Sequence, residues 1–348
     1  ISWGLKSPDI EDLKDLTIWV WTESLWAPIT FTRAALSEDA SNGGSRYSSD
    51  EWRDWWCSDD AAVYQFIGQD NIFFYCIVQN PLWDALDWGL ITDTPVANYH
   101  ILFMNKKASS SGAIKPPMAE ELLEFYTPEQ LRAHWLSLGL DQRAVSFSPK
   151  AFDTSVSRKG KDGQPDLLVK DDPRVVDPAL KESAFLTNIF NRMARSCLYG
   201  AANACGGHLP VSEPHQEVID AAQEVLLKYE QLAYGFDAHS ALAAVDEYAR
   251  AENKRWGEAS KAAQGSDEAY DQALADAFYA LKTITLLMHP AVPEGCERIA
   301  DALNFPHEEF FSWENAFMGP KELAAKLGQS AEEHQLEELP PRFDFFKA

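Results

Sequence analysis

The apolar positions of this chain change their period near residue 115, and the change divides the molecule. Up to about residue 104 they come in short runs separated by breakers. Thr17-Ile18-Trp19-Val20-Trp21 is β-branched and aromatic and predicts a buried strand. Pro28 then breaks the element, and a helix is expected from about Thr32, followed by a loop at Gly43-Gly44-Ser45. Glu51 to Trp56 places tryptophans at helical spacing, which reads as a packing face. Val63-Tyr64-Gln65-Phe66-Ile67-Gly68 predicts a second strand ending in glycine, and Ile72 to Val78 the start of a buried helix. Gly89 and Pro95 punctuate before a third strand at Tyr99 to Met104. Strands alternating with helices imply part of a parallel α/β sheet, whose function sits at the carboxyl ends of the strands.

From Met118 the period becomes helical. Residues 118–126 form one amphipathic stretch, and Pro128 to Leu136 another, with Thr127 as its N-cap and Pro128 at the first helical position. Residues 153–178 are rich in Gly, Pro, Lys and Asp and read as a long linker. Between about 179 and 304 the pattern predicts four or five helices. Their apolar faces include Leu186, Ile189, Phe190 and Met193; Val218, Ala222, Val225, Leu226 and Tyr229; and Phe278, Leu281, Ile284 and Thr285. Pro290 and Pro293 end the last long helix, and the acidic, aromatic segment after Phe305 is expected to be a short helix with a ragged end. No internal repeat is present.

Length and composition, 348 residues at 46% hydrophobic, suffice for two or three domains with real cores. No apolar run reaches membrane-spanning length and no signal peptide opens the chain. Cys57, Cys76, Cys197, Cys205 and Cys296 are odd in number and form no CxxC pair, so neither a zinc site nor a disulfide framework is indicated, and a reducing cytoplasm is expected. The eight histidines show no metal-ligand spacing. The first residue is Ile, which reads as a cut fragment. A formal charge of −24 argues against indiscriminate binding of nucleic acid and leaves room for a local basic face. Candidates are Arg143 with Lys150, Arg158, Lys159 and Lys161; Arg192 with Arg195; and Lys254 with Arg255, each of which also suits an ordinary charged surface.

The stretch with most chemical content is Asn105-Lys106-Lys107-Ala108-Ser109-Ser110-Ser111-Gly112, after the third strand. Lysine supplies a point charge, the hydroxyls and backbone N–H groups supply donors, and glycine admits close approach, so such a loop can grip phosphates. A solvated loop has the same composition. Asp70, two residues after Gly68, suits an N-cap of the following helix. Asn191 and Arg195 lie one helical turn apart and face the same way.

Taken in order, these pieces resemble the second half of the methionyl-tRNA synthetase family of class I aminoacyl-tRNA ligases. Trp3-Gly4, Val20-Trp21 and Ala27-Pro28-Ile29 are similar to that family's WGV, YVW and API run, and Phe66-Ile67-Gly68-Gln69-Asp70-Asn71 to FIGKDN. Lys107-Ala108-Ser109-Ser110-Ser111 resembles the KMSKS loop in a KMSSS form, and Pro128-Glu129-Gln130-Leu131-Arg132 the helix that follows it. Asn191-Arg192-Met193-Ala194-Arg195 matches the Asn-x-x-x-Arg of the first anticodon helix. Trp256, after Tyr248 and Asn253, falls at the anticodon-contacting tryptophan.

The resemblance implies a fold that is α/β followed by all-α: residues 1–118 the end of a Rossmann-like catalytic domain, 119–178 connecting helices and linker, 179–305 an anticodon-binding helix bundle, and 306–348 a tail. It implies catalytic roles for Lys107, Ser109, Ser110 and Ser111. ATP binding would fall to Gly68, Asp70, His100 and Lys107, methionine binding to Trp21 and Tyr75, and anticodon binding to Asn191, Arg195 and Trp256. ATP with Mg2+ would be substrate, tRNA(Met) and methionine the partners, and no metal ligand is visible in this part of the chain. The family's HIGH signature and the half of the nucleotide fold that bears it are absent from these residues, so that missing half would be a further partner, and any zinc-bearing insertion would lie upstream. Ser110 replaces the second lysine of KMSKS, Ala108 its methionine, Gln69 a lysine, and Tyr75 a histidine expected to contact methionine. Extra residues at Thr22 to Leu25 let Trp26 compete with Trp21 for the pocket. These departures mark a divergent branch and keep open a non-ligating paralogue, a tRNA-binding module, or a ligase for another amino acid.

Overall fold

The computed structural model describes residues 4–18, 20–44, 46–90, 94–107, 115–152, 157–159, 165–167, 177, 180 and 184–347. The chain divides into two compact units, Ile1–His100 and Ile101–Ala348.

The first unit contains α1 (Trp21–Ser24), α2 (Ala27–Ser41), α3 (Trp52–Trp56), β1 (Tyr64–Gly68), α4 (Gln79–Ala85) and β2 (Thr94–Asn98). A 3-10 turn (Gln69–Asn71) and a π-helical turn (Phe73–Val78) join β1 to α4. β1 and β2 run parallel in a two-stranded sheet, from Tyr64 opposite Thr94 to Gly68 opposite Asn98. Ile29, Trp56 and Trp83 form the core, with Trp26 and Trp52 packed against it. Buried tryptophan carries a polar N–H that seeks an acceptor, and the Trp56 indole donates to Thr32 Oγ1 at 3.0 Å.

Several expectations fail in this unit. The helix expected from about Thr32 begins at Ala27 with Pro28 in its first turn, where a missing N–H costs nothing. The run from Ile72 to Val78 leaves Ile72, Phe73 and Ile77 exposed. The strand predicted over 17–21 is reduced to a single antiparallel bridge between Thr17 and Lys6, and Trp21 opens a short helix instead. Ile18 and Val20 are exposed, and one bridge offers no sheet surface on which to bury them. Conversely, Pro95 lies inside β2, where it faces Gln65. A parallel strand uses the N–H of alternate residues toward a given neighbour, so an edge position tolerates proline.

The second unit opens with β3 (Ile101–Phe103), β4 (Lys106–Lys107), α5 (Ala119–Leu123), α6 (Pro128–Leu136) and β5 (Val145–Phe147), the strands in the order β4-β3-β5. Phe103, Leu122, Tyr126, Leu131 and Phe147 make a small core. Thr127 caps α6 as expected: its hydroxyl accepts from Gln130 N at 3.2 Å, and Gln130 Oε1 accepts from Thr127 N at 2.8 Å. Most of the 153–178 linker lies outside the described residues. What is described there includes an antiparallel pair, β6 (Ser157–Lys159) and β7 (Pro165–Leu167), and a buried Asp177 that accepts from the Tyr126 hydroxyl at 2.6 Å.

The helix bundle follows a π-helical turn (Leu186–Phe190) and comprises α7 (Asn191–Ala204), α8 (Gln216–Tyr234), α9 (Ala238–Ala262), α10 (Asp267–Met288) and α11 (Pro293–Ala302). That is the upper of the two helix numbers expected, and the prolines act as anticipated: α10 stops at Met288, and Pro293 starts α11. α10 departs from the one-faced pattern, since every residue from Ala273 to Met288 is buried. A helix covered all round must be surrounded, and the surplus cover comes from the segment after Phe305.

That segment is not ragged. It contains α12 (His307–Phe310), a 3-10 turn (Trp313–Asn315) and α13 (Pro320–Lys326), then returns along the bundle with Phe345 and Phe346 buried. Lys282 of α10 is fully buried and donates through Nζ to the carbonyls of Asn315 (2.5 Å) and Ala316 (3.3 Å).

Burial draws the Lys282 ammonium down to about 8, against an opposing pull from Glu322. Above that value and up to the ordinary range the unfolded chain holds a proton that the folded chain has released, so this site's contribution to stability rises with pH through that window. Relative to Lys282→Met, the wild-type protein should therefore gain melting temperature between about pH 7 and about pH 9.5. Paired thermal melts check this, and a difference that shrinks with rising pH would refute the sign.

Candidate functional site

In the first unit the site residues gather at the carboxyl end of β1. A Cβ on Gly68 would lie 2.8 Å from Asp70 Oδ1. Glycine is therefore what lets the Asp70 carboxylate fold back over the strand end. Asp70 sits in the 3-10 turn, exposed, rather than capping a regular helix. The π-helical turn brings Phe74 and Tyr75 round to Trp21: the Trp21 and Phe74 rings stack at 4.0 Å with 2° between planes, and Tyr75 meets Trp21 edge-on at 6.5 Å. All three rings are half-buried, so Trp21 and Tyr75 do share a corner. Offset aromatic faces of this kind grip apolar or thioether groups well. Trp26, the possible competitor, packs instead with Trp83 at 6.3 Å and Trp88 at 5.8 Å. His100 is half-buried, two residues beyond β2.

Lys107 belongs to the second unit. The sequence places it in a loop, whereas β3 and β4 form a tight hairpin with Leu102 opposite Lys107. Met104 and Asn105 take φ of 49° and 62°, the two left-handed residues that a two-residue hairpin turn requires. Asn105 N is fixed to Ser146 Oγ at 2.8 Å. The Lys107 side chain is thus exposed on an anchored strand. Ser109, Ser110, Ser111 and Gly112 lie outside the described residues.

The bundle brings a second set together. α7 carries Asn191, Arg195 and Tyr199 on one face and buries Met193, Ala194, Cys197 and Leu198 in the bundle core. Asn191 is only 4% exposed, because the C-terminal segment lies across it. The Trp256 ring is 6% exposed, and its indole donates to Ser196 Oγ at 2.7 Å. Tyr270 meets it edge-on at 5.8 Å. A Cβ on Gly200 would lie 3.0 Å from Leu274 Cδ2 and 3.1 Å from the Tyr270 hydroxyl, so glycine lets α7 settle against this group. Trp256 therefore sits one residue along α7 from Arg195, as a core side chain.

Several basic residues near this surface are paired, whereas Arg192 stands exposed on α7. Arg255 reaches Glu217 and Glu252, Lys254 lies 3.9 Å from Glu258, and Arg195 meets Asp344 at 2.7 Å. Burial raises Glu252 above the usual carboxylate range, and Arg255 pulls it back.

The role of the Pro128–Arg132 motif was not visible from spacing. Arg132 donates to the carbonyls of Ala291 (2.9 Å) and Pro290 (2.7 Å), and Glu129 accepts from Gly295 N at 2.7 Å. α6 is thereby clamped to the N-terminal end of α11, where a carboxylate is favoured. Charged residues on an otherwise apolar helix were the available hint. Among the described residues no group of three or more His, Cys, Asp or Glu is placed to hold a metal ion.

Comparison with known proteins bears on the fold. Residues 1–159 match the family described as tRNA synthetases class I (M). The methionine–tRNA ligase of Methanoculleus marisnigri is 23% identical over 312 residues, covering 88% of this chain and 40% of the relative. That of Chlorobium luteolum is 25% identical over 318 residues, covering 88% and 40%. Among solved structures, methionyl-tRNA synthetase of Mycobacterium tuberculosis bound by methionyl-adenylate superposes with a TM-score of 0.68 at 18% identity, covering 100% of this chain and 59% of that one. The fold is thus that of the class I aminoacyl-tRNA synthetases. Within the class, the chain is similar to the methionine–tRNA ligases, the family match lying in its first 159 residues. It spans about two fifths of the length of the curated relatives it matches (40% in each case).

Loss of the Trp256 ring should act first on stability. Trp256→Ala removes a buried aromatic together with its hydrogen bond to Ser196, at a cost of about 3–5 kcal/mol, or a melting temperature lower by about 10 °C. Calorimetry checks this; an unchanged melt would show that the ring is not part of the core.

Proposed function

We propose that this chain forms the later part of a methionine–tRNA ligase: the end of the catalytic domain together with an anticodon-binding bundle. The observation that carries the reading is the family match across residues 1–159, which contain both the Gly68–Asp70 strand end and Lys107. In the proposed reaction a methionine carboxylate oxygen attacks the α-phosphorus of ATP and pyrophosphate leaves. A terminal ribose hydroxyl of tRNA(Met) then attacks the methionyl carbonyl, forming the ester as the bond to phosphate breaks and AMP leaves. Such a reaction needs alignment and charge neutralisation more than a dedicated base. Lys107 is suited to neutralising phosphate charge, with Ser109, Ser110 and Ser111 following it. Gly68, Asp70 and His100 would hold ATP, which enters with Mg2+ as part of the substrate. Trp21 and Tyr75 would flank the methionine side chain.

Exposed apolar residues in the first unit, Phe66, Phe73 and Ile77 among them, support a further part of the reading: the remaining half of the nucleotide fold covers them in the complete enzyme. A buried parallel sheet is the usual condition of such folds. A cytoplasmic setting belongs to the same proposal. For the anticodon, Arg195 is the reader that reaches solvent, its side chain 32% exposed. Asn191 and Trp256 are covered, so base contact by either requires the groups over them to move.

Two measurements test the reading. The chain is titrated with tRNA(Met) and with the same tRNA carrying a changed anticodon, at one salt concentration. A clear preference for the methionine anticodon is expected; equal, weak binding would overturn the bundle's role and favour a divergent paralogue. In the complete enzyme, Lys107→Ala should depress methionine-dependent ATP–pyrophosphate exchange by about a hundredfold or more, the scale of losing one charge-stabilising donor. Unchanged exchange would remove Lys107 from the mechanism, and no exchange even by the wild-type enzyme would favour the non-ligating paralogue suggested by Tyr75, Ala108 and Ser110.

A further inference from the structure

Three polar residues of α7, Asn191, Arg195 and Tyr199, recur at four-residue spacing and so share a face. All three are engaged by residues 340–345. Tyr199 donates to the Pro340 carbonyl at 2.8 Å. Asn191 Oδ1 accepts from Phe345 N at 2.8 Å, and Arg195 Nη1 donates to the Phe343 carbonyl at 3.3 Å. The two strongest contacts converge on a single atom: Asp344 Oδ1 receives both Asn191 Nδ2–H and Arg195 Nη1–H, each at 2.7 Å.

The segment is held by more than these polar contacts. Phe345 and Phe346 are buried, the Phe346 ring lies 5.0 Å from that of Phe190, and a Cβ on Gly295 would collide with it. The Asp344 side chain, by contrast, is 52% exposed. Its carboxylate can therefore rotate into water while the flanking phenylalanines stay in place. What it leaves behind is a pair of converging donors, one neutral and one cationic. The neighbouring Arg195 Nε–H is buried and has no acceptor among the described residues. A guanidinium with an unused donor beside a vacated acceptor position is built for an incoming oxygen.

We infer that Asp344 is an intramolecular plug, its carboxylate oxygen holding the position that an acceptor oxygen of the RNA takes when tRNA binds. This rests on the reading of the bundle as a tRNA-binding module. Asp344 keeps the two donors aimed and satisfied in the free protein, and its displacement sets a threshold that only a correctly placed acceptor overcomes. A misplaced RNA meets the carboxylate as a like charge.

The test is a double-mutant cycle in tRNA(Met) affinity, read on the full chain at one salt concentration. Asp344→Ala should tighten binding by about fivefold, the scale of a half-exposed ion pair relieved. Glu338→Ala removes the same charge from the same segment, where the side chain is exposed, and should change affinity by less than about twofold. In an Arg195→Ala background the gain from Asp344→Ala should vanish. Equal effects of Asp344→Ala and Glu338→Ala, or weaker binding by Asp344→Ala, would overturn the plug. Asp344→Asn, which keeps the shape and loses the charge, should reproduce part of the gain and guards against a local collapse in the alanine variant. If Arg195→Ala binds tRNA like the wild type, the bundle reading itself fails. If it binds more weakly but Asp344→Ala brings no gain, only the plug fails. A gain confined to the methionine anticodon identifies a base-edge oxygen and an equal gain for both anticodons a phosphate oxygen; either supports the inference.

Discussion

Helix α10 is buried around its whole circumference between Ala273 and Met288, and the rest of the second unit follows from having to surround it. A helix so enclosed cannot leave its polar side chains to water, and each becomes a staple for something irregular. Asp276 accepts from His215 through both the backbone N–H (2.7 Å) and the ring (2.8 Å), fixing the entry to α8. One turn earlier, Asp271 accepts from Val211 N and Ser212 N. Tyr279 donates to the Phe317 carbonyl at 2.8 Å, with Gly319 beneath its ring, and Lys282 gathers the carbonyls of Asn315 and Ala316. Thr283 and Thr285 turn back onto their own helix. The segment beyond Phe305 is held because α10 supplies donors, Tyr279 and Lys282, that its own regular structure does not use.

This explains what could be read in advance and what could not. Periodicity found the bundle because the stretch leading into α7 and helix α8 carry one apolar stripe each. Capping found α6 because Thr127 and Gln130 form a local device, complete within four residues. The tail gave no such signal: Phe310, Phe345 and Phe346 follow no period, and their burial depends on partners more than thirty residues away, such as Phe190. The first unit was harder for the same reason. Thr17 to Trp21 has every local mark of a strand, yet a strand is a contract with a neighbour, and only Thr17 finds one among the described residues. Pro95 misled in the opposite sense, a breaker tolerated because β2 pairs, among the described residues, with β1 alone. At the site, motif order located Trp21 with Tyr75 and Gly68 with Asp70. It could not foresee that Lys107 would be a hairpin residue, since that turns on the left-handed backbone of Met104 and Asn105.

Charge is the constraint that a tRNA-binding reading has to meet. With a formal net charge of −24, long-range steering works against an RNA partner. Of the cations near α7 and α9, Arg195, Lys254 and Arg255 all face carboxylates and do not offset this freely, which leaves Arg192 as an exposed charge on α7. Recognition by such a surface rests on short-range contacts that replace one acceptor by another. Its dependence on salt is then smaller than that of an open basic patch.

Helix α7 has little surface free of structural duty. Its inner face packs Met193, Ala194, Cys197 and Leu198 into the core, Ser196 tethers Trp256, and Asn191, Arg195 and Tyr199 hold the C-terminal segment. Side chains restrained on this scale lose little further entropy when a ligand arrives, which favours a reading surface that is ready before binding. The same economy ties recognition to stability, because most changes on α7 disturb packing as well as contact. Asp344 stands apart from that coupling. It touches both donors through an exposed carboxylate while Phe345 and Phe346 carry the anchoring, so the affinity of the surface can be adjusted at residue 344 with the fold left as it is.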